Sequence, residues 1–142
     1  MKRVVTVTGE DGRSRLLETP DAMVPFRWGE IVWPLDPDPS RVALDPGEVS
    51  WRLYTLPSTE ELEAYIKERY GHGAGMHRTP TVDFLYVVEG RIELVLDEET
   101  VECGPGDCIV QQETTHAWRV VEGPVRLVTL MVGAGAMPAD GG

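Results

Sequence analysis

The fold is decided by residues 83–96, which read DFLYVVEGRIELVL. In the second half of this stretch, aliphatic residues at 92, 94 and 96 alternate with Arg91 and Glu93. A period of two is typical of a strand with one apolar and one polar face. Similar runs recur between turn residues, as in sandwiches and barrels, and predict an all-β domain. The predicted strands are Arg3–Thr8, Ile31–Leu35, Ser50–Leu56, Asp83–Val88, Arg91–Leu96, Cys108–Gln111, Ala117–Val121 and Val125–Val132.

Two polar segments predict connections between strands, and one segment predicts a helix. Glu89-Gly90 and residues 97–99 (Asp-Glu-Glu) lie between apolar runs, as hairpin or strand connections do. A helix is predicted over residues 59–70, because Ser58 and Glu61 form a capping box and a glycine follows at 71. Its expected inner stripe is Leu62, Tyr65, Ile66 and Arg69 or Tyr70.

The composition excludes several classes of partner. The 142 residues carry 13 Lys and Arg against 24 Asp and Glu, a net charge of −11. Because clustered cations bind phosphates, we expect no nucleic-acid partner and no attachment to anionic membranes. No apolar run approaches the roughly 18 residues of a membrane-spanning helix, and the N-terminal apolar stretch is too short for a signal peptide. We therefore expect a cytoplasmic protein, with Cys103 and Cys108 as free thiols and a flexible tail over residues 135–142.

A polar row on one segment supplies the first candidates for chemistry. His77, Thr79, Thr81 and Asp83 occupy alternate positions, so on an extended strand their side chains project to one side. Pro80 falls on the opposite side and lacks an amide proton, which suits an edge position. A row that faces a core is normally apolar, so this polar row favours a functional site.

A second segment adds His116 and Trp118, which share a face. Two imidazoles and a carboxylate, from His77, His116 and Asp83, can hold a divalent metal such as Fe, Mn, Zn or Ni. The same groups without a metal can act as general acid and base. Singly, a histidine on a strand is more often structural than functional, and an aromatic side chain is more often core. We predict His77, Asp83 and His116 as catalytic or metal-binding residues and Thr79, Thr81 and Trp118 as pocket lining; His72, between two glycines, is expected to be a solvated cap.

The first segment resembles the first motif of the cupin superfamily, G-x5-H-x-H-x3–4-E-x6-G. His77 matches the first histidine of this motif, and Thr79 stands where the second is found. Asp83 stands at the glutamate, and Gly90 follows at the required interval. The run His-Arg-Thr-x-Thr-x-Asp is also similar to that of small bacterial single-barrel cupins.

The second segment resembles the second cupin motif, G-x5-P-x-G-x2-H-x3-N. Residues 104–107 (Gly-Pro-Gly-Asp) supply its turn, with Gly106 as the first glycine, and His116 falls one residue early. The positions of Pro, Gly and Asn are held by Gln112, Thr114 and Val120. The resemblance covers residues 75–134, within one domain expected over 1–134.

The resemblance implies a cupin-type jelly-roll β-barrel with one short helix, whose ligands point inward. It implies a small-molecule enzyme, metal-dependent and of the dioxygenase, decarboxylase or isomerase type, acting on an oxygenated metabolite. Two alternatives stay open: a non-catalytic metabolite-binding cupin, and a metal-free isomerase or dehydratase that uses His and Asp as acid and base. A straight strand would separate residues 77 and 83 by roughly 20 Å, so a shared ion requires a break at Pro80. A homodimer is expected, because cupins commonly dimerise and Arg3–Thr8 leaves an open sheet edge.

Overall fold

The computed structural model describes residues 3–17, 23–35, 44–70 and 76–134. Within these residues the secondary structure consists of nine strands and one helix. The all-β class, the predicted helix and the strand character of residues 83–132 are confirmed. The elements are β1 (Thr6–Thr8), β2 (Ser14–Leu16), β3 (Val24–Phe26), β4 (Gly29–Trp33), β5 (Val49–Leu56), α1 (Thr59–Tyr70), β6 (Thr81–Val95), β7 (Thr100–Cys103), β8 (Cys108–Gln112) and β9 (Ala117–Gly133).

Seven strands form one antiparallel sheet in the order β3-β4-β5-β9-β6-β7, with β8 also paired to β6. The long strands β6 and β9 form its centre: residues 81–87 pair with 127–133, and residues 92–95 pair with 117–120. The first half of β6 lies between β9 and β8, and its second half lies between β9 and β7. The first half of β6 therefore lies in the middle of the sheet, with β9 on one side and β8 on the other.

The predicted connection at Glu89-Gly90 is wrong, because β6 runs without interruption through these residues. The pairing of β6 with β9 shifts register between Val87 and Ile92, so the strand bends there. Gly90 has a φ of 82°, and a Cβ built on it would lie 2.5 Å from the carbonyl oxygen of Pro124. A glycine in the middle of a strand is therefore a bend where two backbones approach closely. The predicted strands over 117–121 and 125–132 are likewise one strand.

The helix is capped as the sequence predicts. The backbone N–H of Glu61 donates to Ser58 Oγ at 3.3 Å. Leu62 is buried, and the ring of Tyr65 packs edge-on against Trp28 with centroids 6.2 Å apart. Thr59 accepts a hydrogen bond from the backbone N–H of Val120, which joins the helix start to β9. Of the predicted inner stripe, the side chains of Ile66, Arg69 and Tyr70 lie outside the described part of the chain.

The N-terminal strand pairs within its own chain but keeps one open edge in the described residues. β1 pairs with β2 in a separate two-stranded sheet, with Thr6 opposite Leu16 and Thr8 opposite Ser14. Because β2 occupies only one edge of β1, the other edge has no partner strand among the described residues, and the homodimer stays a prediction. His72 and the tail over 135–142 lie outside the described residues.

Candidate functional site

The buried polar residues of the described chain lie together on the inner face of the sheet, around the N-terminal end of β6. They come from β5, β6, β8 and β9 and from the residue just before β9. Elsewhere in the described residues the core is built mainly from aliphatic side chains such as Leu85, Val87 and Ile92. We call this group the polar interior: it comprises Ser50, Arg52, Thr81, Asp83, Gln111, His116 and Thr129.

Strand register explains why these side chains share a face. Asp83 lies opposite Gln111 of β8 on one side and Met131 of β9 on the other, and Met131 lies opposite Ser50 of β5. Directly opposed residues of antiparallel strands project to the same face. Met131 is buried. This row of four residues therefore crosses four strands and faces inward.

A second inward row lies two residues along the strands. Leu85 of β6 is opposite Thr129 of β9, and Thr129 is opposite Arg52 of β5. Arg52 is only 2% exposed. Its Nε donates to Ser50 Oγ at 2.9 Å, and its guanidinium lies 5.3 Å from the centre of the Phe26 ring. These contacts hold a cation in a fixed position inside the barrel.

The predicted row along residues 79, 81 and 83 is a chain of hydrogen bonds. The hydroxyl of Thr81 donates to Asp83 Oδ1 at 2.7 Å. The hydroxyl oxygens of Thr79 and Thr81 lie 2.8 Å apart, and since Thr81 gives its proton to the carboxyl, Thr79 is the donor of that pair. Thr81 is fully buried, whereas Thr79 is half-buried. The chain therefore leads from the rim of the barrel to Asp83.

Burial raises the pKa of the Asp83 carboxyl above its ordinary value of 3.8. The hydrogen bond from Thr81 and the positive charge of Arg52 act in the opposite direction, and desolvation outweighs both. The protonated carboxyl is thus favoured more than it would be in water.

His77 and His116 are brought together by backbone pairing outside the named strands. The N–H of each donates to the carbonyl of the other, at 2.8 and 2.9 Å, and the ring centroids lie 4.4 Å apart. β6 begins only at Thr81, after Pro80, so His77 and Asp83 do not lie on one straight strand. The break at Pro80 places His77 beside the residue that leads into β9.

Hydrogen bonding fixes the orientation of the His116 ring. Its Nδ1–H donates to the carbonyl of Thr114 at 2.7 Å, so in the neutral ring Nε2 carries the lone pair. Burial lowers the pKa of His116 from 6.5 to about 4, against the opposite effect of the Thr114 carbonyl and with a smaller contribution from His77. The imidazole is therefore neutral at pH 7, with an acceptor at Nε2.

Trp118 lies beside the histidine pair, because it follows His116 by two residues on β9. The rings of Trp118 and His116 are edge-on, with centroids 5.7 Å apart. Trp118 is half-buried and packs against the aliphatic core. It thus forms a wall between the core and the imidazole.

Two buried polar atoms of this interior find no hydrogen-bond partner in the part of the chain that the structure describes. They are Gln111 Nε2 and Thr129 Oγ1. The amide oxygen of Gln111 accepts a bond from Thr114 Oγ1 at 3.3 Å, which leaves the NH₂ group as the unpaired end. A buried donor without a partner costs about 1–3 kcal/mol, so such groups are typical of binding sites.

Arg52, Gln111 and Thr129 were not predicted from the sequence. On β5 the side chains that enter the barrel are Ser50 and Arg52, whereas Trp51 between them is 45% exposed. An isolated strand with this pattern would be expected to bury the tryptophan and expose the arginine. In the sequence, Arg52 lies between two apolar residues, Trp51 and Leu53. This pattern could have indicated a strand with protein packed on both of its faces, and so a buried Arg52.

The predicted metal ligands do not form a three-ligand group. In the described residues, no three His, Cys, Asp or Glu side chains gather so that they could hold a metal ion. The structure pairs His77 with His116 and places Asp83 with Thr81, near Arg52. Two imidazoles supply fewer ligands than structural and catalytic zinc sites use. These residues as arranged therefore do not fit the predicted ion site.

Comparison with known proteins confirms the resemblance to cupins. Residues 67–133 match the family described as "Cupin domain". Two proteins of Diaporthe leptostromiformis, phomopsin biosynthesis cluster proteins C′ and D, are each 44% identical over 55 residues. That stretch is 38% of this chain and 29% of each relative, so the chain covers less than a third of their length.

Solved structures show the same fold. The cupin domain of Schizosaccharomyces pombe Cnp3 aligns with a TM-score of 0.53 at 11% identity, over 94% of this chain and 86% of that one. The Clostridium difficile EutQ protein aligns with a TM-score of 0.51 at 10% identity, over 93% and 96% of the two chains. The fold is thus an all-β jelly roll of the cupin type with one short helix. None of the described helices is long and apolar enough to cross a membrane.

Proposed function

We propose that the polar interior binds a small oxygenated metabolite and that His116 and Asp83 transfer protons to and from it, as in an isomerase or dehydratase. The observation that carries the proposal is the hydrogen bond from His116 Nδ1–H to the Thr114 carbonyl at 2.7 Å. It holds the ring in the tautomer whose Nε2 accepts a proton. A fixed, buried, neutral imidazole is suited to act as a general base.

The chemistry requires a proton donor as well as an acceptor. When His116 Nε2 removes a proton from carbon beside a carbonyl group, the C–H electron pair forms a C=C bond and the carbonyl oxygen becomes an enol oxygen. The Asp83 carboxyl can protonate that oxygen, because burial raises its pKa and Thr81 already occupies Oδ1. Where the neighbouring carbon carries a hydroxyl, the product is an enediol: His116 then gives its proton to the former carbonyl carbon, and the Asp83 carboxylate takes the proton of the other hydroxyl. The carbonyl group has moved by one carbon and both side chains regain their starting states, which is an isomerisation.

A second candidate is a binding protein without catalysis. It is favoured by Thr79, which stands where the cupin motif has its second histidine. A hydroxyl is a weaker base than an imidazole, so a chain that only holds a metabolite can tolerate it there. The metal-dependent enzyme implied by the cupin motifs is the third candidate, and titration of a divalent metal into metal-free protein tests it.

Proton exchange with solvent tests the proposal without knowledge of the natural substrate. The protein is incubated in D₂O with pyruvate, dihydroxyacetone, glyceraldehyde and 2-oxobutyrate, and deuterium at carbon is followed by NMR. We expect incorporation above the buffer rate for at least one compound, unchanged by EDTA. His116→Gln should reduce it by roughly 100-fold or more, since general-base catalysis contributes about 10²–10⁴.

The controls separate the three candidates. His77→Gln, at a half-buried position, keeps the Nδ1 bond of His116 and serves as the matched variant, for which we expect less than a tenfold loss. Binding of a compound with no exchange supports the non-catalytic cupin. Exchange that EDTA abolishes, and that a divalent metal restores, supports the metal-dependent enzyme.

A further inference from the structure

We infer that the metabolite is a monocarboxylate, held by the guanidinium of Arg52 together with the Thr129 hydroxyl and the Gln111 amide. The inference rests on the proposed function only in placing the metabolite inside the barrel. Arg52, Thr129 and Gln111 take no part in the sequence motifs or in the acid–base step.

Each of the three side chains has a hydrogen-bond donor that faces the interior. Arg52 and Thr129 are direct neighbours across β5 and β9, where opposed Cβ atoms lie about 5 Å apart. Gln111 is opposite Asp83, one row away. Gln111 and Thr129 are each 3% exposed, and their Nε2 and Oγ1 atoms are the ones without a partner among the described residues. A ligand that completes this set must supply acceptor oxygens at two neighbouring points.

A carboxylate matches this requirement better than a neutral oxygen group does. The planar guanidinium binds both oxygens of a carboxylate in a fork, and bonds between ions are about twice as strong as neutral ones. The bond to Ser50 and the contact with Phe26 fix the position of the guanidinium before a ligand arrives. Arg52 is thus preorganised for a planar anion, and little side-chain freedom is lost on binding.

The charge of the polar interior favours a ligand with a single negative charge. Among the buried residues that the structure describes, Arg52 is the one Lys or Arg. The whole chain carries −11, so a dianion such as phosphate meets one cation inside and repulsion from the rest of the protein.

Matched small probes test the inference on the intact protein. Binding of sodium butyrate, butyramide and inorganic phosphate is measured by calorimetry and by amide chemical shifts. We expect butyrate to bind at least tenfold more tightly than butyramide and phosphate. Arg52→Gln should remove that preference, whereas Arg126→Gln, which deletes an exposed arginine of β9, should keep it. Thr129→Val and Gln111→Leu should each weaken butyrate binding several-fold.

Equal binding of butyrate and butyramide by the unaltered protein would overturn the inference, whatever the stability of the variants. So would a preference that survives Arg52→Gln. If Arg52→Gln does not fold, Thr129→Val and Gln111→Leu carry the test, because both replace neutral side chains. Selective binding without exchange in D₂O would sink the acid–base proposal alone. Exchange that is as fast with dihydroxyacetone as with pyruvate would sink the carboxylate inference alone.

Discussion

His77 and His116 exchange both of their backbone hydrogen bonds, at 2.8 and 2.9 Å, and hold their rings 4.4 Å apart. This pairing joins the chain before β6 to the chain before β9, so the two segments with candidate chemistry meet at one end of the barrel. The carboxyl that the sequence grouped with them, on Asp83, instead bonds Thr81. The histidine pair and the carboxyl are therefore separate parts of the candidate site.

A metal ion should bind to the pair of His77 and His116 without Asp83. We expect Zn²⁺ or Ni²⁺, titrated by calorimetry into protein dialysed against EDTA, to bind weakly, because a pair of imidazoles supplies two of the three or four ligands of a usual zinc site. His77→Ala or His116→Ala should abolish the heat of binding. Asp83→Asn should change the affinity by less than twofold. If Asp83→Asn is as damaging as His116→Ala, all three residues share the ion, as the sequence predicts.

The stability of the protein should depend on His116 between pH 6.5 and 4. The folded state lowers the pKa of His116 to about 4, so in this window the unfolded chain binds the proton more tightly. Stability contributed by the neutral ring is complete above pH 6.5 and is lost as the pH falls toward 4. The free energy of unfolding should fall by about 2 kcal/mol between pH 7.5 and 5 on this account.

Urea unfolding of the unaltered protein and His116→Gln at both pH values measures this loss. The variant has no imidazole at this position, so its stability should fall by less over the same interval. Equal pH dependence of the two proteins would show that His116 titrates normally in the folded state.

Asp83 should give a pH dependence of the opposite sign. Because its folded pKa is raised, the folded protein binds the proton more tightly than the unfolded chain does. Its contribution is present at low pH and is lost as the pH rises from the ordinary value of 3.8 through the raised one. Asp83→Asn should therefore gain stability relative to the unaltered protein as the pH rises. Urea unfolding from pH 4 to 8 checks this, and a relative loss on raising the pH would contradict it.

Local sequence patterns predicted the helix and most of the strands. They did not predict features that depend on residues far away in the chain. The helix was predictable because Ser58 and Glu61 act within one turn. The continuity of β6 through Gly90 was not, because the glycine is required by the carbonyls of residues 122 and 124, which come from another strand. β3 was missed because it is short and contains Pro25, which breaks the pattern of a strand but is allowed at a sheet edge.

The candidate site shows the same division between local and distant causes. The period of two predicted a row of His77, Thr79, Thr81 and Asp83. The structure joins the last three by hydrogen bonds and pairs His77 with His116 instead. Arg52 could not be assigned to the interior, because its burial depends on Thr129 lying opposite it and on the ring of Phe26. These partners are 77 and 26 positions away in the chain. Only the register of the assembled sheet reveals that the barrel has a cation inside.

Gly90→Ala should destabilise the fold more than substitution of a glycine with a similar backbone angle. An added Cβ would lie 2.5 Å from the Pro124 carbonyl oxygen, and the φ of 82° is strained for alanine. We expect a loss of more than about 2 kcal/mol in the free energy of unfolding. Gly106→Ala is the matched control: its φ is 91°, but no atom lies within 4 Å of the added Cβ, so about 1 kcal/mol is expected. Equal losses in urea unfolding would contradict the role of the close approach.

The outer face of the sheet predicts how two copies associate. Trp51, Leu130, Phe84 and Val110 are opposed in one row across four strands, and Trp51 and Leu130 stay 45% and 39% exposed. Two copies that each carry −11 repel one another except where a contact is free of carboxylates, and this apolar row is such a place. We therefore expect sedimentation to give about twice the chain mass of 15.7 kDa, and Trp51→Glu to give the monomer. Val7→Glu, on the exposed face of β1, is the matched control and should stay dimeric. A monomeric unaltered protein, or a dimer that Val7→Glu dissociates and Trp51→Glu does not, would refute association through this face.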